Sequence, residues 1–274
     1  MITFLSVLTK VGLHTGLLIA SGFALHKFLL GIELRRLIIS SAALLTFCVA
    51  ARLFLLNVEL AGGFEHALDF SMFGWVWSPN MSQTLAYLGG AGGVAVGTMA
   101  RVRILVGLGL AAMVLAVGFG GHSQGLETPG FTPFIISIHV AFAAFWVTAP
   151  VVLWPSRSVS DTELLRRLET FSAIAVWGVP LLFISGLWSS LHLTGSLGAF
   201  MNTAYGLMLL FKILLASMAL VIGAANKFWV TRKLQNDPDV GRAVLQKMLI
   251  LESVIFCCVI CVIALATTVT GPGA

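Results

Sequence analysis

The sequence predicts an all-α bundle of eight transmembrane helices, and three observations predict it. Mean hydropathy is +1.00, and 58% of the 274 residues are apolar against 10% charged, which is far from the composition of a soluble domain. Apolar runs long enough to cross a hydrocarbon core of about 30 Å recur along the whole chain. The runs are continuous rather than alternating, and lipid requires each span to satisfy its own backbone hydrogen bonds, so they read as helices and not as a barrel.

The first run, residues 4–30, contains Lys10 and His14. It is too long for the apolar region of a signal peptide and has no clear small-residue cleavage site after it, so it reads as a retained span. The second, 37–57, carries Cys48 and Arg52. The third, 81–100, is glycine-rich, and Gly89 and Gly93 have the small-xxx-small spacing that lets another helix approach closely. The fourth, 103–120, leads into Gly121-His122-Ser123, and the fifth, 132–155, holds His139 and Trp146. The sixth is 170–192, the seventh, 204–229, contains Lys212, and the eighth, 245–270, contains Glu252, Cys257, Cys258 and Cys261. Trp75, Trp77 and Trp188 fall near one boundary and Trp154 and Trp229 near the other, as aromatic belts do. No hydrophilic domain, long linker or repeat interrupts the chain, which reads as one domain over 1–274, divisible into halves 1–130 and 131–274.

Topology follows from charge. All sixteen Lys and Arg lie either inside a run or in the connectors 31–36, 101–103, 156–169 and 227–247, or at the end of a run beside them. The connectors 58–80, 121–131 and 193–203 have none. The basic set faces the cytoplasm and both termini lie outside. The net charge of +5 is therefore a product of topology and implies no nucleic-acid partner. The longest outer connector, 58–80, mixes acids with Leu60, Phe64, Leu68 and Phe70; it reads either as a short amphipathic helix on the membrane surface or as an apolar loop on the helix ends.

Candidate chemistry concentrates on the outer side. Of six histidines only His26 lies near the cytoplasmic end; His14, His66, His122, His139 and His192 belong to the outer half. His139 sits seven residues into its run, about 10 Å along a helix, where an imidazole needs a partner. Folding of the 121–131 connector brings His122 toward it, and His14 is placed to join them. Imidazole with external thioethers, Met81 among them, suits Cu(I) rather than Cu(II). The plainer reading makes each histidine a hydrogen-bonded packing residue. Met113, Met208, Cys257 and Cys261 can form weak successive Cu(I) ligands below such a site, or be ordinary apolar filler. Lys10, Arg52 and Lys212 are costly inside spans. They pair with a helix-end carbonyl or an external carboxylate such as Glu59, or they balance and gate a metal site. Glu252, the acid inside a span, pairs with Lys227 or Lys247 as an inner gate or anchors its helix end.

Taken in order, Gly121-His122-Ser123, His139 with Trp146, Phe171-Ser172, Ser185-Gly186, Thr203-Ala204-Tyr205-Gly206, Lys212, Asn226-Lys227 and Glu252 resemble the signature of the CopD copper-resistance membrane proteins. The resemblance spans about residues 80–260, and Thr203-x-Tyr205-Gly206 followed by Lys212 and Asn226 is its most specific part. It departs where the family has glycines after the tryptophan and an Asn-Arg pair: this chain has Val147-Thr148-Ala149-Pro150 and Asn226-Lys227. The resemblance implies an eight-helix inner-membrane protein that moves copper inward from the periplasm, with Tyr205, Asn226 and Lys212 in structural or gating positions.

The expected function is thus a copper permease without enzymatic activity, with a periplasmic copper chaperone as a candidate partner; a non-transporting copper sensor or a partner subunit for such a chaperone has the same sequence features. The competing class is a membrane redox protein with one b-type haem on the periplasmic side, ligated by His14 with His139 or His122. No phosphate-binding loop is present, which argues against ATP drive within this chain.

Overall fold

The computed structural model describes residues 1–120 and 130–270, and among them every regular element is helical. Each predicted run becomes a helix: α1 (Ile2–Leu30), α2 (Arg35–Leu60), α3 (Phe73–Ala100), α4 (Arg103–Gly118), α5 (Thr132–Val152) and α6 (Asp161–Thr194). After a short α7 (Leu197–Asn202) come α8 (Ala204–Ala225) and α10 (Pro238–Leu265). A π-helical segment, Asn226–Val230, joins α8 to α9 (Thr231–Asn236), and a second, Ala266–Thr270, continues α10. Six of these helical stretches are long and apolar enough to cross a membrane: α1, α2, α5, α6, α8 with α9, and α10 with its continuation. α3 is not among the six despite its 28 residues, and α4 has only 16.

Several helices outrun the apolar runs that predict them, for local reasons. α6 begins at an N-cap in which the Ser160 hydroxyl oxygen accepts a hydrogen bond from the Glu163 amide. Most of the basic 156–169 connector is therefore helix. The 227–247 connector is likewise helical on both sides of a break at Asp237, which caps α10 through the Val240 amide, with Pro238 in the first helical position. In the outer 58–80 connector a single 3₁₀ turn, Phe64–His66, precedes α3, which takes in Phe73–Asn80; no separate surface helix lies there.

The core forms three packing groups among the described residues, and the two larger share α5. Phe145 and Val152 pack with α1–α4, whereas Trp146, Ala149 and Leu153 pack with α6 and α8–α10. Adjacent residues of a helix project about 100° apart, so Phe145 and Trp146 meet different neighbours. Hydrogen bonds set the levels: His26 of α1 meets the Phe145 carbonyl, Lys10 of α1 meets Thr267, and Asn226 meets Glu252. The first and last helices therefore bring their outer halves together at one end of the bundle, opposite the basic connectors.

The α3–α4 contact is glycine-mediated, with a rotation the spacing does not give. A Cβ on Gly89 would meet open space. One on Gly90 would lie 2.7 Å from the Gly109 carbonyl, and one on Gly97 2.8 Å from the Val106 amide. On α4, a Cβ on Gly109 would lie 2.6 Å from the Gly90 carbonyl. Because these neighbours are backbone, Gly109→Val is expected to cost at least about 1–3 kcal/mol and to lower the thermal transition in detergent, while Gly89→Val leaves it unchanged.

Candidate functional site

His139 is held from α6. A carbonyl can only accept, so the contact of Nδ1 with the Leu182 carbonyl at 2.9 Å places the ring proton on Nδ1. The Ser185 hydroxyl oxygen, 3.3 Å away, accepts from the same N–H while its own proton goes to a carbonyl of α6. Gly186 makes room for the ring: a Cβ there would stand 2.8 Å from His139 Cε1. The Ser185-Gly186 pair thus fixes both orientation and tautomer, and the remaining nitrogen, Nε2, carries a lone pair. A carbonyl-anchored imidazole with a free second nitrogen is the arrangement that metal-ligating histidines use.

His14 is anchored in the same way, its Nδ1–H donating to the Lys10 carbonyl one turn earlier at 2.7 Å. His122 lies outside the described residues. The segment that carries it leaves α4 at Gly118, where a Cβ would meet the Pro133 carbonyl and Ser137 of α5, and resumes before Thr132. His66 is exposed on the 3₁₀ turn, and His192 stacks on Trp188 with centroids 6.2 Å apart. Met81 is exposed on α3. No group of three His, Cys, Asp or Glu side chains that could hold a metal occurs among the described residues. The structure therefore presents His14 and His139 as two separately anchored imidazoles.

The residues considered for an inner path are dispersed. Met113 is fully buried against Gly90 in the α3–α4 contact, and the Met208 sulfur accepts from Thr270 at 3.8 Å. Cys257 and Cys261 are exposed on the outward side of α10, as is Cys258, and all four cysteines are free thiols. These positions do not line one interior file.

Of the three intramembrane cations, Lys10 finds a helix-end carbonyl and Arg52 reaches Glu59 only through Ser6. Lys10 donates to the Thr267 carbonyl at 2.5 Å. Arg52 donates to the Ser6 hydroxyl oxygen at 3.3 Å, and Ser6 in turn donates to Glu59. Lys212 has no ion-pair partner among the described residues. Thr203-Ala204-Tyr205-Gly206 is a helix start: Thr203 caps α8 through the Gly206 amide at 3.0 Å, Tyr205 is buried against Phe200 and Leu209, and a Cβ on Gly206 would meet the Ala199 and Phe200 carbonyls. Glu252 bonds neither Lys227 nor Lys247. Its Oε1 accepts from Asn226 Nδ2 at 3.2 Å, while Lys227 lies over the Phe228 ring at 5.5 Å.

Sequence reasoning passed over His26. It is fully buried, donates Nε2–H to the Phe145 carbonyl at 2.9 Å and stacks on the Phe145 ring at a centroid distance of 4.3 Å. An imidazole isolated in an apolar run was the available signal.

Residues 165–266, which include the α6 residues that hold His139, Lys212 and the Asn226–Glu252 pair, match the family model described as "Copper resistance protein D" (CopD). Over 126 residues the chain is 32% identical to the "Copper transport protein CutJ" of Bacillus subtilis (strain 168). That alignment takes in 44% of this chain and 23% of the relative, so the chain matches about a quarter of that protein's length. No solved structure matches.

Proposed function

We propose that the chain, whose residues 165–266 match the CopD family model, is a copper permease of the bacterial inner membrane that carries Cu(I) from the periplasm toward the cytoplasm and catalyses no reaction. In this reading all eight long helices cross. α4 spans about 24 Å at 1.5 Å per residue, a shortfall that local bilayer thinning accommodates. Both chain ends are periplasmic, because the opposite end carries the basic connectors.

The observation that carries the reading is His139, anchored through Nδ1 by the Leu182 carbonyl and Ser185, with no hydrogen bond to Nε2 among the described residues. It binds Cu(I) together with His122 and a further donor, His14 or the Met81 thioether, from the periplasmic mouth. A periplasmic copper chaperone is the natural source of the ion. Lys212 stands outside the ligand shell, and its charge keeps the site weak enough to let the ion move on.

The test is Cu(I) uptake by proteoliposomes containing the protein, followed with a copper-sensitive dye in the lumen, beside an optical spectrum of the same sample. Uptake by the wild type, its loss in a His122→Ala/His139→Ala double variant and no Soret band are expected. A Soret band assigns the histidines to haem instead, and retention of full uptake by the double variant removes them from the route.

A further inference from the structure

A second polar layer lies deeper, nearer the basic connectors, and the copper site does not use it. Glu252 is only 3% exposed, seven residues past the start of its apolar run at 245. It and Trp146 flank Gly223, where a Cβ would stand 3.6 Å from Glu252 Oε1 and 3.9 Å from the Trp146 ring. Among the described residues the one hydrogen bond to its carboxyl comes from Asn226, a buried residue at the point where α8 passes into the π-helical segment. Such segments interrupt the regular helical ladder and recur at functional sites. Asn226 Oδ1 is buried with no partner among the described residues. On the α1 side of the Phe145-Trp146 dipeptide, His26 is bound through Nε2–H to the Phe145 carbonyl, and its Nδ1 is likewise buried and unpartnered.

Charge and donor supply point to the same missing particle. No charged side chain among the described residues compensates Glu252. Lys212 of α8 lies fourteen residues before Asn226, Lys227 of the π segment and Lys233 of α9 lie over the rings of Phe228 and Trp229, and Arg232 is exposed. On α10, Lys247 is exposed and Arg242 is bonded to Asp161. From α1, Lys10 is bonded to Thr267, and His26 is the one titratable group at this level. α5 contributes only Phe145 and Trp146 here. An ionised carboxylate with a single neutral amide partner is expensive in such a place. The layer also has more acceptors (both Glu252 oxygens, Asn226 Oδ1 and His26 Nδ1) than donors, and a proton on Glu252 supplies a donor while removing the charge. Carboxyl and amide oxygens are hard ligands that hold Cu(I) poorly, so the layer suits a proton rather than the cargo.

We propose that Glu252 is a proton-binding site, with Asn226 as its positioning partner, and that it exchanges one proton with water at the basic-connector end as the bundle takes up and releases copper. Only an O–H bond is made or broken. The coupling half of this inference rests on the copper-transport reading; the proton site does not.

The experiment uses the full-length protein in lipid vesicles, as wild type, Glu252→Gln and Asn226→Ala. The glutamine keeps an acceptor for Asn226, so its fold is preserved. At neutral pH the infrared spectrum of the wild type is expected to contain the carbonyl stretch of a protonated carboxyl. This band is absent from Glu252→Gln and displaced in Asn226→Ala, which lacks the amide donor. On adding Cu(I) in weak buffer, the wild type releases about one proton more per bound copper than Glu252→Gln, at equal copper content. Absence of the band from the wild type overturns the proton site, and equal release overturns its coupling. If the wild type binds no copper, it is the permease reading that fails, and the infrared band still decides whether Glu252 holds a proton.

Discussion

Replacing His139 by alanine is expected to abolish stoichiometric Cu(I) binding while leaving the helical fold intact. Loss of a residue that merely orients a metal ligand costs about 10- to 100-fold in affinity, so loss of the ligand itself costs at least the upper end of that range. The α5–α6 contact tolerates the change, because the Leu182 carbonyl and the Ser185 hydroxyl retain their own helical partners. Two further variants separate ligation from packing. Ser185→Ala leaves the Leu182 bond to Nδ1 in place and should weaken copper by up to about 10-fold. Gly186→Val drives a side chain into the imidazole, 2.8 Å already separating a bare Cβ from Cε1, and should weaken copper nearly as much as His139→Ala. Competition with a Cu(I) chelator reads all three, and equal affinity in wild type and His139→Ala removes His139 from the site.

The second large effect is expected at Arg242, far from the histidines. Its guanidinium donates to Asp161 at 2.7 Å and to the carbonyls of Ser156 and Val159 at 3.1 and 2.5 Å, tying the α5–α6 connector and the start of α6 to α10. Truncation strands those acceptors at a half-buried junction, so Arg242→Ala should lower stability by about 2–3 kcal/mol and expose Arg157 to trypsin. Arg242→Lys keeps the charge but not the planar fork, and should recover less than half of the loss. The check is thermal unfolding in detergent with limited proteolysis; an unchanged transition in Arg242→Ala contradicts this role.

Helix positions were legible because hydropathy and length are local properties that lipid enforces on every span. The facing of each helix was not. In a bilayer the outer surface is as apolar as the core, so sequence periodicity carries little information on which side meets protein. This is why the α3 glycine face runs through Gly90 and Gly97 rather than Gly89, and why Cys257 and Cys261 point outward instead of lining a path. Helix extensions had readable signals in Ser160-x-x-Glu163 and Asp237-Pro238, which the charge of those connectors obscured. At the site, the depth of His139 announced that it needs a partner, but the identity of that partner, a backbone carbonyl 43 residues away, has no sequence signature. Glu252 stood out as an acid in an apolar run. Its bond to neutral Asn226 rather than to a lysine depends on α8 staying helical through the π segment, which composition does not reveal.

The central claim is that the lone pair left on His139 Nε2 receives copper. X-ray absorption at the copper edge of the Cu(I)-loaded wild-type protein, beside His139→Ala, tests it most directly. Imidazole scattering in the wild type that diminishes in the variant is the predicted result; a shell of sulfur alone, identical in the two proteins, would contradict it.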